Sequence, residues 1–194
     1  MSSRPTPITD PDRIRALAHP TRLDLLEFLR NTDEATATEC AEHIGESVAS
    51  CSFHLRMLEK YGFIERAERR GREKPWRVRD RGPVSTQPDH DVPGSFLALH
   101  ELATLTVARE SDRILRYLAQ TESEPTEWLE ATTLTSSSFW ATVDEMAELS
   151  RAIREITDRF NGRSEDPSLR PPGARPSRLF AAVNPDPPPP QESR

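Results

Sequence analysis

The sequence predicts a mainly α-helical chain with one small β-hairpin (α+β), and two features carry that expectation. Between Thr36 and Arg79, two short capped helices meet at a glycine turn and lead into an Arg-rich hairpin. Downstream, apolar residues recur at helical spacing over residues 95–121 and 142–160.

Thr36-Ala37-Thr38-Glu39 is a capping box, in which the Thr hydroxyl and the Glu carboxylate each satisfy a free backbone donor. That helix should end at Ile44-Gly45, where glycine suits the left-handed closing residue. Ser47, two positions on, can cap a second helix running from Val48 to about Tyr61 and stopped by Gly62. Two helices joined by so tight a turn read as a helix-turn-helix. On the second helix Val48, Cys51, Leu55 and Leu58 form one apolar stripe expected to face the core. Ala49, Ser50, Phe53, Met57 and Lys60 should point away, with His54 and Arg56 on the flanks. Small, hydroxyl and basic side chains on an outward helix face can enter a DNA major groove and read base edges or hold phosphates. The Phe53 ring would touch a thymine methyl or a sugar, or pack against a partner element.

Phe63 to Arg69 and Lys74 to Arg79 read as two strands around the polar turn Arg70-Gly71-Arg72-Glu73. In the second strand Trp76 and Val78 alternate with Arg77 and Arg79, so one face packs and the other meets solvent or phosphate. A hairpin placed directly after a helix-turn-helix is a wing.

His19-Pro20-Thr21-Arg22-Leu23, Ser52-Phe53-His54-Leu55 followed by Leu58, Tyr61-Gly62-Phe63-Ile64, and the basic wing together resemble bacterial ArsR-type winged-helix transcriptional regulators over residues 10–80. The resemblance implies that Ser47 to Tyr61 is a recognition helix and that the hairpin contacts the DNA backbone. Carried over by position, it implies helix contacts at Ser50, Ser52, Phe53, His54 and Arg56, and wing contacts at Arg69, Arg70, Arg72 and Lys74. With Ser47 and Lys60 added from the helix itself, these residues form the candidate DNA-binding set. Arg22 either supports the motif or reaches a phosphate.

The net charge of −6 suits a DNA binder only when divided along the chain. Residues 1–46 carry 5 basic and 9 acidic side chains (−4), residues 47–81 carry 10 and 5 (+5), and residues 82–194 carry 11 and 18 (−7). The basic segment should set the salt dependence of binding, while the acidic remainder repels DNA.

Before the motif, Asp10-Pro11 caps a helix holding Ile14, Leu17 and Ala18, and Pro20 opens another with Leu23, Leu25, Leu26, Phe28 and Leu29. With the winged domain at 10–80, residues 81–94 read as a Pro/Gly linker, 95–162 as a helical dimerisation or effector region, and 163–194 as a Pro-rich tail, disordered or extended. A helix from Ser95 to about Thr121 carries a broad apolar stripe. Trp128 to Leu134 is expected as a short strand, and Leu179 to Val183 as a segment able to dock as one. Thr142 to Glu145 is a second capping box, opening a helix with Met146, Leu149, Ile153, Ile156 and Phe160 that packs in its own domain or forms a seam across a dimer.

Cys40 and Cys51 beside His43 and His54 invite a metal-sensor reading, but no Cys-x-Cys or Cys-x-x-Cys pair is present and both cysteines occupy core positions, so no metal or other cofactor is expected. A disulfide is not expected either. His19 should cap a helix or bond backbone, and His100 should be buried. Trp128, Phe139 and Trp140 read as core more readily than as an effector pocket, and Asp144 and Glu145 as partners of a helix N-terminus. No P-loop, GxGxxG, HExxH or GxSxG sequence is present, which argues against an enzyme. No apolar run reaches the roughly 20 residues of a membrane helix, and the N-terminus lacks an apolar signal core, so a cytoplasmic protein is expected. The expected function is sequence-specific, homodimeric binding of double-stranded DNA at a palindromic operator, responsive to an unidentified small-molecule effector. The alternative is a winged-helix adaptor that binds proteins through the same Arg-rich hairpin.

Overall fold

Asp10 accepts a hydrogen bond from the Asp12 amide (3.0 Å) and Pro11 supplies a preset φ, so the first helix, α1, begins at Pro11 and runs to Leu17. The computed structural model describes residues 7–69, 74–80, 84, 86–164 and 166–186. It contains two compact units, residues 1–119 and 120–194.

In the first unit α1 is followed by α2 (Pro20–Asn31), α3 (Ala37–Ile44), α4 (Val48–Lys60), β1 (Ile64–Arg66), β2 (Trp76–Val78) and α5 (Ser95–Leu118). The capping box forms as expected: Thr36 Oγ1 accepts from the Glu39 amide (3.2 Å) and a Glu39 carboxylate oxygen accepts from the Thr36 amide (2.7 Å). Gly45 closes α3 at φ 80°, a left-handed conformation that costs glycine nothing. Ser47 then caps α4 through the Ser50 amide (3.1 Å).

The strands pair antiparallel, Ile64 opposite Val78 and Arg66 opposite Trp76. Ala35, just before α3, bonds both ways to Trp76, with N···O distances of 2.9 and 2.8 Å. The hairpin is thus stitched to the helix-turn-helix by backbone as well as by the buried Trp76 indole. Around it one core gathers Ile14 and Leu17 from α1, Leu25, Leu26 and Leu29 from α2, Cys40 and Ala41 from α3, Cys51, Leu55 and Leu58 from α4, and Ile64 and Val78 from the strands. Val48, expected on that stripe, is 45% exposed. It is the first residue of α4, where the helix has only begun to enter the core.

α5 belongs to this unit. Ala98 and Leu102 join the core cluster beside α1, and Arg109 grips Asp24 and Glu27 of α2 with both terminal nitrogens. Within the segment expected as a linker, two of the described residues are held: the Gln87 amide donates to the Ile8 carbonyl (3.1 Å), and the Ser95 hydroxyl accepts from the Asp89 amide (2.7 Å). Gly94 precedes α5 at φ 81°, and a Cβ there would lie 2.7 Å from the Arg15 guanidinium. The division between units therefore falls after α5, where the sequence pattern suggested a break before it. His100, expected to be buried, lies exposed, because the buried side of α5 is set by Ala98 and Leu102.

The second unit holds α6 (Thr126–Glu130) and α7 (Val143–Glu155), with short 3₁₀ turns at Thr121–Ser123, Asp158–Phe160 and Pro167–Leu169. Trp128 to Leu134 is not a strand: Pro125 leads into α6, and the residues beyond it to Leu134 make no strand pairing. Residues 179–183 likewise form no strand. α7 has the second capping box at Thr142 and Glu145, which also draws the Glu145 carboxyl below its usual range through the Thr142 amide and hydroxyl. Its helical stretch ends at Glu155, short of Phe160. Phe139 (55% exposed) and Trp140 (fully exposed) do not form a core, while Trp128 is half-buried under the Arg175 guanidinium, 4.6 Å from the ring centre. Among the described residues no helix is long and apolar enough to cross a membrane.

Two substitutions check this hierarchy by urea unfolding followed by helical circular dichroism. Leu55→Ala, at a fully buried site, should cost about 2–5 kcal/mol, whereas Thr36→Ala, which removes one half of the capping box, should cost roughly 0.5–2 kcal/mol.

Candidate nucleic-acid interface

The face that α4 turns outward follows from the face it buries. With Cys51, Leu55 and Leu58 fully buried, the 3.6-residue period leaves Ala49, Phe53, Arg56 and Lys60 on the opposite side, at spacings of four, three and four. All four are exposed, Phe53 by 53%. Ser50 and Ser52 are half-buried at the edges of this stripe, and Ser47 is exposed at the N-terminus with its hydroxyl engaged as the cap. Lys60 lies with Nζ 5.2 Å from the Tyr61 ring centre, at the far end.

His54 departs from the expected set. It is only 8% exposed, and its ring stacks on that of His19 with centres 4.3 Å apart. A side chain so enclosed cannot reach a base edge from its present position. His19 in turn does not cap α2: no side-chain capping bond is formed, and its ring is given to His54 instead. Arg22 is occupied internally, donating to the Arg15 carbonyl (3.0 Å), which supports the scaffold role among its two readings.

In the hairpin the basic side chains divide into engaged and exposed sets. The Arg66 guanidinium lies over Trp76, its carbon 3.4 Å from the ring centre, and donates to the Lys74 carbonyl (2.8 Å). Arg77 and Arg79 both close on Glu65, at 2.7 and 3.4 Å. The hydrogen bond from Arg77, followed by the charges of both arginines, holds the Glu65 carboxyl below its usual range. The outward face of the second strand, read in the sequence as free to meet phosphate, is thus neutralised in part by one carboxylate across the ladder. The alternating pattern contains that partner at Glu65, but register pairs it with Arg77 only once the turn length is known. Arg69 and Lys74 are exposed on either side of the turn, and Arg70 and Arg72 lie outside the described residues.

Cys40 and Cys51 are fully buried free thiols. Burial, with the neighbouring Cys51 and Glu39, pushes the Cys40 thiol up to about 12, and burial followed by Glu46 raises that of Cys51. Both serve as small apolar core residues. Among the described residues no group of three or more His, Cys, Asp or Glu side chains is arranged to hold a metal ion.

A helix-turn-helix whose second helix shows one outward stripe, followed by an antiparallel hairpin with exposed basic residues, defines a winged helix-turn-helix domain, and this chain carries one. Residues 17–67 match the family described as "Helix-turn-helix domain". A relative from Streptomyces lividans, described as "Probable mercury resistance operon repressor", is 39% identical over 84 residues, covering 41% of this chain. The chain spans 66% of that relative's length.

The two thiols should not react with a thiol-specific disulfide reagent at pH 8 over minutes in the folded protein, and both should react at once in guanidinium. Rapid labelling of one in the native state would place that cysteine outside the core.

Proposed function

We propose that this protein is a sequence-specific DNA-binding transcriptional regulator of the ArsR type, acting as a homodimer on a palindromic operator and responding to a small-molecule effector. The observation that carries the proposal is the outward stripe of α4, since Ala49, Phe53, Arg56 and Lys60 face solvent on a helix whose other side is locked into the core. A major groove admits one helix presented in this way, with Arg56 on a base edge or phosphate, Phe53 against a thymine methyl, and Ser47, Ser50 and Ser52 at the groove wall. Arg69, Lys74, Arg70 and Arg72 of the wing would hold phosphates beside it. The matched family and the repressor description of the Streptomyces relative support the same class.

Palindromic reading needs two copies related by a twofold axis, with half-sites one or more helical turns apart. The faces that fit this need are apolar and exposed: Phe96, Val107 and Leu118 on α5, and Val143 and Ile156 at the ends of the α7 stripe. The mercury named in the relative's description is not carried over as the effector, because both thiols of this chain are buried and burial raises both above the ordinary thiol value. The effector is proposed as a small molecule acting through the C-terminal helices, in the cytoplasm.

Selection from a random duplex pool, followed by titration of the winner at several salt concentrations, tests the proposal. Enrichment of an inverted repeat with affinity falling steeply as salt rises is expected; absence of any enriched sequence would favour the protein-adaptor alternative. Replacing Arg70 or Arg72 should weaken binding to all sequences and flatten the salt slope by about 1 each. Replacing Ser50 or Arg56 should change sequence preference. Glu65→Gln should tighten binding and steepen the slope, by releasing Arg77 and Arg79 to phosphate.

A further inference from the structure

Two imidazoles from neighbouring elements meet where α2 packs on α4. His19, at the N-terminus of α2, and His54, in the second turn of α4, lie ring against ring at 4.3 Å with a 37° tilt. The Phe53 ring closes edge-on over His54 at 5.1 Å, linking the pair to the outward stripe. The Nδ1 atoms of both histidines are buried and have no hydrogen-bond partner. A neutral imidazole tolerates this, since Nδ1 is then an unfilled acceptor, but a protonated one would bury an N–H with nothing to receive it.

We propose that His19 and His54 form a proton-sensitive latch on the recognition helix: neutral and stacked, they seat α4 against α2, and proton uptake parts them and releases α4 from its DNA-binding posture. The charged groups facing the pair favour the neutral state. Arg22 of α2 stands beside both rings, fixed by its bond to the Arg15 carbonyl of α1, and α4 itself contributes the uncharged Phe53. Tyr61, at the end of α4, faces Arg22. Glu46, in the turn between α3 and α4, is the carboxylate that pulls the other way. Burial first, then Arg22 at His19, and at His54 the neighbouring His19 followed by Arg22, outweigh Glu46 and hold both imidazoles below the ordinary 6.5. The released or unfolded form therefore takes up protons before the latched one does. Stability from the latch is fully present above pH 6.5 and is lost as pH falls below it.

The latch also reverses the sign of an expectation. A histidine contacting phosphate would gain charge on acidification and tighten DNA binding, whereas a latch histidine would loosen it. The link to DNA rests on the function proposed above, but the link to stability does not. The full chain, with His19→Gln and His54→Gln variants, should be melted at pH 7.5 and 5.5 and titrated with the selected duplex at both values. Expected is a larger drop in Tm for the parent protein than for either variant, and an affinity loss in the parent of up to about tenfold, the ceiling for one imidazole set by the pH interval between its ordinary 6.5 and pH 5.5. Equal Tm losses in all three proteins, or tighter binding at pH 5.5, would overturn the latch. If His54→Gln does not fold, His19→Gln, at the less buried ring, decides the comparison. If no duplex binds at either pH, the DNA-binding proposal fails while the melting comparison still judges the latch.

Discussion

The packing of one helix side governs the rest of the molecule. Leu55 and Leu58 of α4, with Cys51 between them and the N-terminus, are each sealed from solvent against α2, α3 and β1. Burying two leucines in this way contributes roughly 2–3 kcal/mol each, and a helix so anchored cannot rotate without exposing one of them. Its outward stripe is therefore a consequence of core formation. Nothing on the solvent side has to specify where Phe53, Arg56 and Lys60 point.

The hairpin obeys the same logic through a different interaction. Trp76 carries backbone bonds to Ala35, buries its indole in the common core, and is covered by the Arg66 guanidinium. A two-stranded ribbon alone is only marginally stable in water. Tied at one edge to Ala35 in the connection before α3 and to the core by its inward side chains, it becomes a rigid carrier for Arg69 and Lys74. Glu65 restrains the charge of that carrier, because Arg77 and Arg79 would otherwise stand unpaired on adjacent outward positions.

α5 shows how a helix with apolar residues on more than one side can be divided. Ala98 and Leu102 are claimed by α1, and Arg109 bridges to Asp24 and Glu27 on α2, an ion pair network that adds orientation more than stability. Phe96, Leu97, Val107, Leu115 and Leu118 remain exposed. A periodic pattern counts apolar residues around the helix but carries no label for which neighbour takes each one. The same indeterminacy explains why His100 emerged exposed.

Local chemistry was legible in the sequence wherever the partners lie within a few residues of each other. Both capping boxes, the Gly45 turn, the Ser47 cap, the starts of α1 and α2, and the order of helices and hairpin all rest on contacts within about one helical turn, so residue identity and spacing were sufficient. The strand expected at Trp128 failed because β propensity describes fit to a neighbouring strand, and none was supplied. Only the tertiary structure decided that His54 turns inward to His19, 35 positions earlier in the chain, that Glu65 meets Arg77 and Arg79, and that α5 belongs with the first unit. These depend on which distant surfaces share a core, a choice made by burial and register across the whole chain and written in no single stretch of it.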